Sequence, residues 1–117
     1  MEPISPSLGQ FSISLAVKDL DKSRAFYEAL GFYPLELPAP GYGKKWLIMR
    51  HGDAVIGLFH GMFEHNTITF NPIDVRAVQR SAQSRGVEFK VTAADGVGPA
   101  HALAMDPDNN PVLLDQH

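Results

Sequence analysis

Two stretches of this chain carry the same structural instructions in the same order, and that repetition restricts the folds open to it. In FSISLAVKDLDKSRAFYEALGF, Phe11, Ile13, Leu15 and Val17 alternate with Ser12, Ser14 and Ala16, the period of a half-buried strand. A helix should follow. Asp19 or Asp21 can cap its start, Ala25, Phe26, Ala29 and Leu30 form an apolar stripe, and Gly31 supplies a left-handed stop. The same grammar returns in TITFNPIDVRAVQRSAQSRGVEF, where Asp74 stands to Gly86 as Asp19 stands to Gly31, twelve residues in each case (86 − 74 and 31 − 19), with Val75, Val78 and Ala82 as the stripe. After each glycine come an extended run (FYPLEL or VEFKVT), a loop containing Gly and Pro, and a hairpin. The hairpins are WLIMRHGDAVIGLFH and ALAMDPDNNPVLLDQ, with their turns, HGD and PDNN, at matching places. This pattern predicts an α+β chain built of two βαβββ modules, over about 11–60 and 67–116, within one domain at 11–117 that follows a flexible, proline-broken tail at 1–10.

Composition narrows the function. The 117 residues contain no cysteine and carry a formal charge of −3, which removes disulfide frameworks, Cys-ligated zinc and thiol nucleophiles. Lys and Arg are scattered rather than striped, so a nucleic-acid partner is not expected. No apolar run reaches membrane-spanning length, and MEPISPSLGQ has neither the basic start nor the apolar stretch of a secretory signal. The expected setting is cytoplasmic, away from membranes.

SLAVKDLDKSRAFYEALGF together with the terminal DPDNNPVLLDQ resembles the vicinal oxygen chelate superfamily, the group of glyoxalase I, extradiol dioxygenases, fosfomycin-resistance transferases and bleomycin-binding proteins. The resemblance runs from Phe11 to Gln116. WLIMRHGDAVIGLFHGMFEHNTITFNP and LLDQH are similar to a subgroup of small glyoxalase- or bleomycin-resistance-like proteins, a description that names a fold and settles no activity. The resemblance implies that the modules form a curled mixed sheet, a cup lined by the strand faces turned away from the helices, and that the domain pairs as a homodimer. In metal-dependent relatives, four ligands sit on the first and last strands of the modules. Those slots fall here on Ser12, Gly57, Thr67 and Leu113. Two hydroxyls, an alkyl group and no side chain at all make a poor first shell for a divalent metal, so no metal and no other cofactor is expected at that place. A relocated site would draw on His60, His65, Asp115 and His117, although their spacing contains no metal motif.

Alternation gives the rest of the lining. Ser14 shares a face with Ser12, and Thr69 and Asn71 share one with Thr67. A hairpin around Gly52 and Asp53 pairs Ile48 with Gly57 and Trp46 with Phe59, bringing Val55 to the same side. By the repeat, Ala102, Ala104 and Asp115 are expected to join them, with Gly57, Ala102 and Ala104 leaving room for a ligand. Blander readings stand beside these. Serines and threonines on one strand face also make an ordinary solvated surface, Trp46 also serves as packing, and isolated histidines are usually structural or surface groups. In the connector GMFEHN, Met62 and Phe63 suit a lid or dimer interface, and Tyr42 in PAPGYGKK suits a loop folding over a ligand.

Three functions fit. The leading one is a metal-independent protein that binds a small amphipathic or aromatic molecule, as drug-sequestering relatives do, without catalysis. The second is a lyase, isomerase or dioxygenase-like enzyme on a small oxygenated substrate, with a relocated metal or Asp115 as base. The third is a protein interaction module.

Overall fold

The structure is a computed structural model that describes residues 6–117. Residues 1–5 of the anticipated tail lie outside the described residues. In the remainder of that stretch, Gln10 belongs to a strand and Leu8 borders a groove beside the second helix. The chain is α+β, with two helices and eight strands among the described residues. Its elements are β1 (Gln10–Val17), α1 (Leu20–Ala29), β2 (Tyr33–Pro34), β3 (Trp46–His51), β4 (Ala54–His60), β5 (Thr67–Asn71), α2 (Val75–Ser84), β6 (Phe89–Val91), β7 (Ala100–Met105) and β8 (Pro111–Gln116). They fall into two compact units, Ser12–Thr67 and the described residues 6–11 with Ile68–His117.

Each unit repeats one topology. In the first, the strand order is β2-β3-β4-β1, with β1 parallel to β4 and the other neighbours antiparallel. In the second it is β6-β7-β8-β5, with β5 parallel to β8. The first-named strand of each order is short: β2 has two residues, one of them Pro34, and β6 has three with a bulge between Phe89 and Val91. Pro34 has no N–H to contribute to a ladder, which suits an edge.

The helices begin and end alike. Asp19 Oδ1 accepts from the Lys22 N–H and Asp74 Oδ1 from the Ala77 N–H, each at 3.1 Å, satisfying a donor that the first turn leaves unpaired. At the other end Gly31 (φ 104°) and Gly86 (φ 95°) take the left-handed conformation. There the N–H groups of Phe32 and Val87 donate to the carbonyls of Tyr27 and Ala82 at 3.0 and 3.1 Å, the six-to-one bond of a Schellman ending.

The buried stripe of α2 is the one the sequence indicates: Val75 is fully buried, Val78 nearly so, and Ala82 half-buried. In α1 the stripe is different. Phe26 and Leu30 are each 60% exposed and Ala25 and Ala29 also face outward, while Leu20 is buried and Tyr27 packs on the core. The N-cap explains this rotation. Leu20 follows Asp19 directly and faces the sheet, so Ser23 and then Tyr27 turn inward after it.

Under α1 lie Leu47, Met49, Ile56 and Leu58, with Ile13, Leu15 and Val17 against them. Under α2 lie Ala93, Ala102 and Leu114, with Phe70, Phe89 and Ala100. The side chains between them on each strand project to the opposite face. No helix among the described residues is long and apolar enough to cross a membrane.

The turn joining β7 to β8 is held by one carboxylate. Asp106 Oδ1 accepts from the N–H groups of Asp108 (2.9 Å) and Asn110 (2.8 Å), and Oδ2 from the Asn110 side-chain amide (2.8 Å). The Asn110 side chain, and then its backbone N–H, hold the Asp106 carboxyl below its ordinary value of 3.8, since these donors favour the charged form. A depressed folded pKa contributes stability that is present above the unfolded value and lost as pH falls through the folded one. Asp106→Ala should therefore lower the urea midpoint at pH 7, and the gap from the parent should shrink as pH falls below 3.8; a gap that stays constant down to that range would contradict the assignment.

Candidate functional site

Sheet alternation leaves one face of the first unit free of α1. On it stand Ser12 and Ser14 from β1, Trp46 and Ile48 from β3, and Val55, Gly57 and Phe59 from β4. The registers are those expected of the hairpin, Ile48 opposite Gly57 and Trp46 opposite Phe59, with Ser14 beside Gly57 across the parallel pair. Ser12 and Ser14 are buried, at 8% and 4% exposure.

Aromatic rings run along this face. Tyr42 meets Trp46 edge to face at 4.9 Å, Trp46 stacks on Phe59 at 5.9 Å with the planes 5° apart, and Phe63 meets Phe59 edge to face at 4.9 Å. Gly57 makes this arrangement possible. A Cβ there would lie 2.5 Å from Phe59 Cε2 and 3.3 Å from Ile48 Cδ1, so the space expected to stand open at Gly57 is taken by the Phe59 ring.

The loop before β3 is fastened rather than free. The Tyr42 hydroxyl donates to the Leu35 carbonyl, contacts the Ile48 carbonyl at 3.2 Å and accepts from the Ile48 N–H at 3.2 Å. Trp46 Nε1 donates to the Pro40 carbonyl at 3.2 Å. With its polar end satisfied by backbone, Tyr42 serves as a staple between the loop and β3. In the connector, Phe63 folds back on Phe59 while Met62 is 55% exposed. Asn66 Oδ1 accepts from the Ala16 N–H at 3.0 Å, and the buried Thr67 hydroxyl donates to the His65 carbonyl at 3.0 Å.

The helix-free face of the second unit carries Thr69, Asn71, Leu113 and Asp115, with Thr69 beside Leu113. Ala102 and Ala104 were expected here and are not. They pair with Leu114 and Val112 and face α2, while Leu103 pairs with Leu113 and His101 with Asp115 on the free face. A shift of one residue exchanges the two faces of a strand. The signal was available in the sequence, because the spacing that takes Asp19 to Asp74 and Gly31 to Gly86 takes Ile48 to Leu103, not to an alanine. Asn71 Nδ2 donates to the Asp115 carbonyl at 2.9 Å and lies 3.1 Å from His117 Nε2.

The histidines are dispersed. His51 packs beside the Phe32 ring at 5.6 Å, and His60, His65, His101 and His117 are exposed. His60 and His65 belong to the first unit and Asp115 and His117 to the second. Among the described residues no three His, Asp or Glu side chains are grouped so as to hold a metal ion.

The chain belongs to the Glyoxalase/Bleomycin resistance protein/Dioxygenase superfamily, whose family model matches residues 9–114. Solved structures share the fold at low identity. The NAD-dependent benzaldehyde dehydrogenase of Legionella pneumophila is 16% identical with a TM-score of 0.73, over 91% of this chain and 97% of that one. Methylmalonyl-CoA epimerase from Mycobacterium tuberculosis is 19% identical with a TM-score of 0.69, over 99% and 92%. A glyoxalase/bleomycin resistance protein/dioxygenase superfamily member from Vibrio splendidus 12B01 is 16% identical with a TM-score of 0.63, over 91% and 96%. No curated protein matches the sequence.

The metal that chelating members of the superfamily hold does not fit the residues present. Ser12 and Thr67 offer neutral hydroxyls, Thr67's already engaged by a carbonyl. The place of a side chain at Gly57 holds a phenyl ring, and Leu113 offers an alkyl group. Together they make a poor first shell for the divalent ion of the chelating members.

Gly57→Ala should force the Phe59 ring off Trp46, since a methyl cannot stand 2.5 Å from a ring carbon, and overpacking of this kind typically costs about 1–3 kcal/mol. Trp46 is the single tryptophan, so its emission and acrylamide quenching report the change directly. A spectrum and urea midpoint identical to the parent's would refute the packing described.

Proposed function

We propose that this chain is a metal-independent small-molecule-binding member of the superfamily, holding a small, partly aromatic ligand on the helix-free sheet face of its first half. The observation that carries this reading is the chemistry of that face. The Trp46 and Phe59 rings share a sheet face with the buried residues Ser12 and Ser14, Ser14 pairing with the Gly57 that Phe59 lies across, while the metal slots hold groups that make a poor first shell. Apolar walls with a few fixed polar groups are the usual makeup of a small-molecule site. The rings supply contact area and the hydroxyls, each donor and acceptor, supply orientation. No residue of this face is assigned a bond-making step.

A second reading, an acid-base enzyme, has one observation in its favour: the β7–β8 register sets the His101 imidazole opposite the Asp115 carboxylate, on the face that also carries Thr69. Likeness to an epimerase fits an enzyme as well as a binding protein, because identity below one quarter carries the fold alone.

The test is titration of the protein, followed by Trp46 emission, with a panel of small planar aromatic and amphipathic compounds, with and without chelator. Saturable quenching that chelator leaves unchanged, and that Ser14→Val weakens at least ten-fold, is the expected result. About one tightly held metal per chain by elemental analysis, or binding lost on chelation, would overturn the reading. For the enzyme alternative, turnover of a panel compound that falls at least a hundred-fold in Asp115→Asn is the expected signature, and turnover indifferent to that change removes it.

A further inference from the structure

The helix side of the second unit is not filled as that of the first is. Beside α2, β6, β7 and β8 lies a groove of about 800 Å³, walled by Val78, Ala82, Val87, Phe89, Ala104 and Val112, within the size range of small-molecule pockets. The first unit shows what the same backbone encloses when it is closed. The helix-ending bond from Phe32 to Tyr27 is repeated from Val87 to Ala82. Pro34 pairs with Met49 as Phe89 pairs with Ala104, and Met49 with Ile56 as Ala104 with Val112.

Through these correspondences Tyr27, Phe32, Met49 and Ile56 become Ala82, Val87, Ala104 and Val112, every one of them smaller. In the first unit Met49 is fully buried, Ile56 is in the core, and the Tyr27 and Phe32 rings pack on that core, edge to face at 5.6 Å. Two exchanges run the other way, Ser23 to Val78 and Pro34 to Phe89. On balance the second unit has about ten fewer non-hydrogen side-chain atoms at these positions, in a region that native packing would otherwise fill. Val87 is left 41% exposed where Phe32 is half-buried.

We propose that this groove is a separate binding site for a small molecule carrying a six-membered aromatic ring, seated where Tyr27 and Phe32 sit in the first unit. Those two rings are what the same helix and strands accommodate when the space is filled from within. The charged side chains that border the groove, Glu88, Lys90 and Asp106, are of both signs, and Asp106 is engaged by its own turn. The walls therefore select an apolar ring over an ion. The site lies on the face of the sheet away from Thr69 and Leu113 and stands independently of the reading above.

The probes are 4-methylphenol and toluene, the side chains of Tyr27 and Phe32 as free molecules, titrated into the full chain while methyl carbon-proton spectra are recorded. The expected result is saturable shifts of the Ala82, Val87, Ala104 and Val112 methyls, with those of Ile48 and Leu113 unmoved. The double variant Ala82→Tyr with Val87→Phe should weaken binding at least ten-fold without lowering the thermal midpoint, and Ala104→Met should do so if the double variant does not fold. Absence of saturable shifts overturns the proposal, as do shifts that survive whichever of these variants folds. The same methyls moving with protein concentration alone would show the groove to be closed by a second copy of the chain, and would overturn it too.

Discussion

Each helix meets its sheet through the residue that directly follows its N-cap, and the arrangement of both units depends on that contact. Asp19 and Asp74 fix where the helices begin, and Leu20 and Val75 then point into the cores. Helical geometry does the rest, because once the first inward position is set the others follow at three- and four-residue steps. The consequence reaches the strands. With one face committed to the helix, pleating sends every second side chain to the other face, so the composition of the candidate site is settled by the same two caps.

A shared backbone has been given different contents in its two copies. In the first unit Tyr27 and Phe32 fill the space beneath the helix, and on the opposite face Phe59 lies across Gly57 alone. The second unit replaces the rings on the helix side with Ala82 and Val87, and replaces the Trp46–Phe59 stack with a His101–Asp115 pair. Loops are fastened differently as well. Tyr42 ties the first loop through its hydroxyl, whereas Arg76 holds the second through the carbonyls of Ala94 and Gly98, assisted by Gln116. The duplication preserves caps, registers and helix endings, and leaves side-chain volume and polarity free to diverge.

Much of this was legible in the sequence because it rests on local rules. Asp at the start and Gly at the end of each helix, alternation in β1, and the pairing across Gly52 and Asp53 follow from capping and turn chemistry that short segments carry by themselves. The rotation of α1 was not legible from hydrophobicity alone. Phe26 and Leu30 are more apolar than Ser23, yet the cap turns them outward. The faces of β7 are the reverse of those expected because the second hairpin has one residue more between Leu103 and Leu113 than the first has between Ile48 and Gly57, and a shift of one exchanges the faces of a strand. Long-range polar ties such as Arg76 to Gly98 and Gln79 to Ala93 depend on packing between distant segments and leave no periodic trace. That Gly57 makes way for Phe59 is likewise a property of the folded pair.

The two short strands, β2 and β6, bear on behaviour at high concentration. β2 offers two residues, one without an N–H, and β6 offers three interrupted by a bulge. A β-rich chain meeting copies of itself in a crowded solution is at risk when an exposed edge presents a long row of unpaired donors and acceptors. Here a strand approaching β2 or β6 finds a row too brief and too irregular to copy, so these two guard against templated aggregation through their shortness, and the exposed apolar groups on them, Tyr33 and Val91, sit on strands that cannot propagate a ladder.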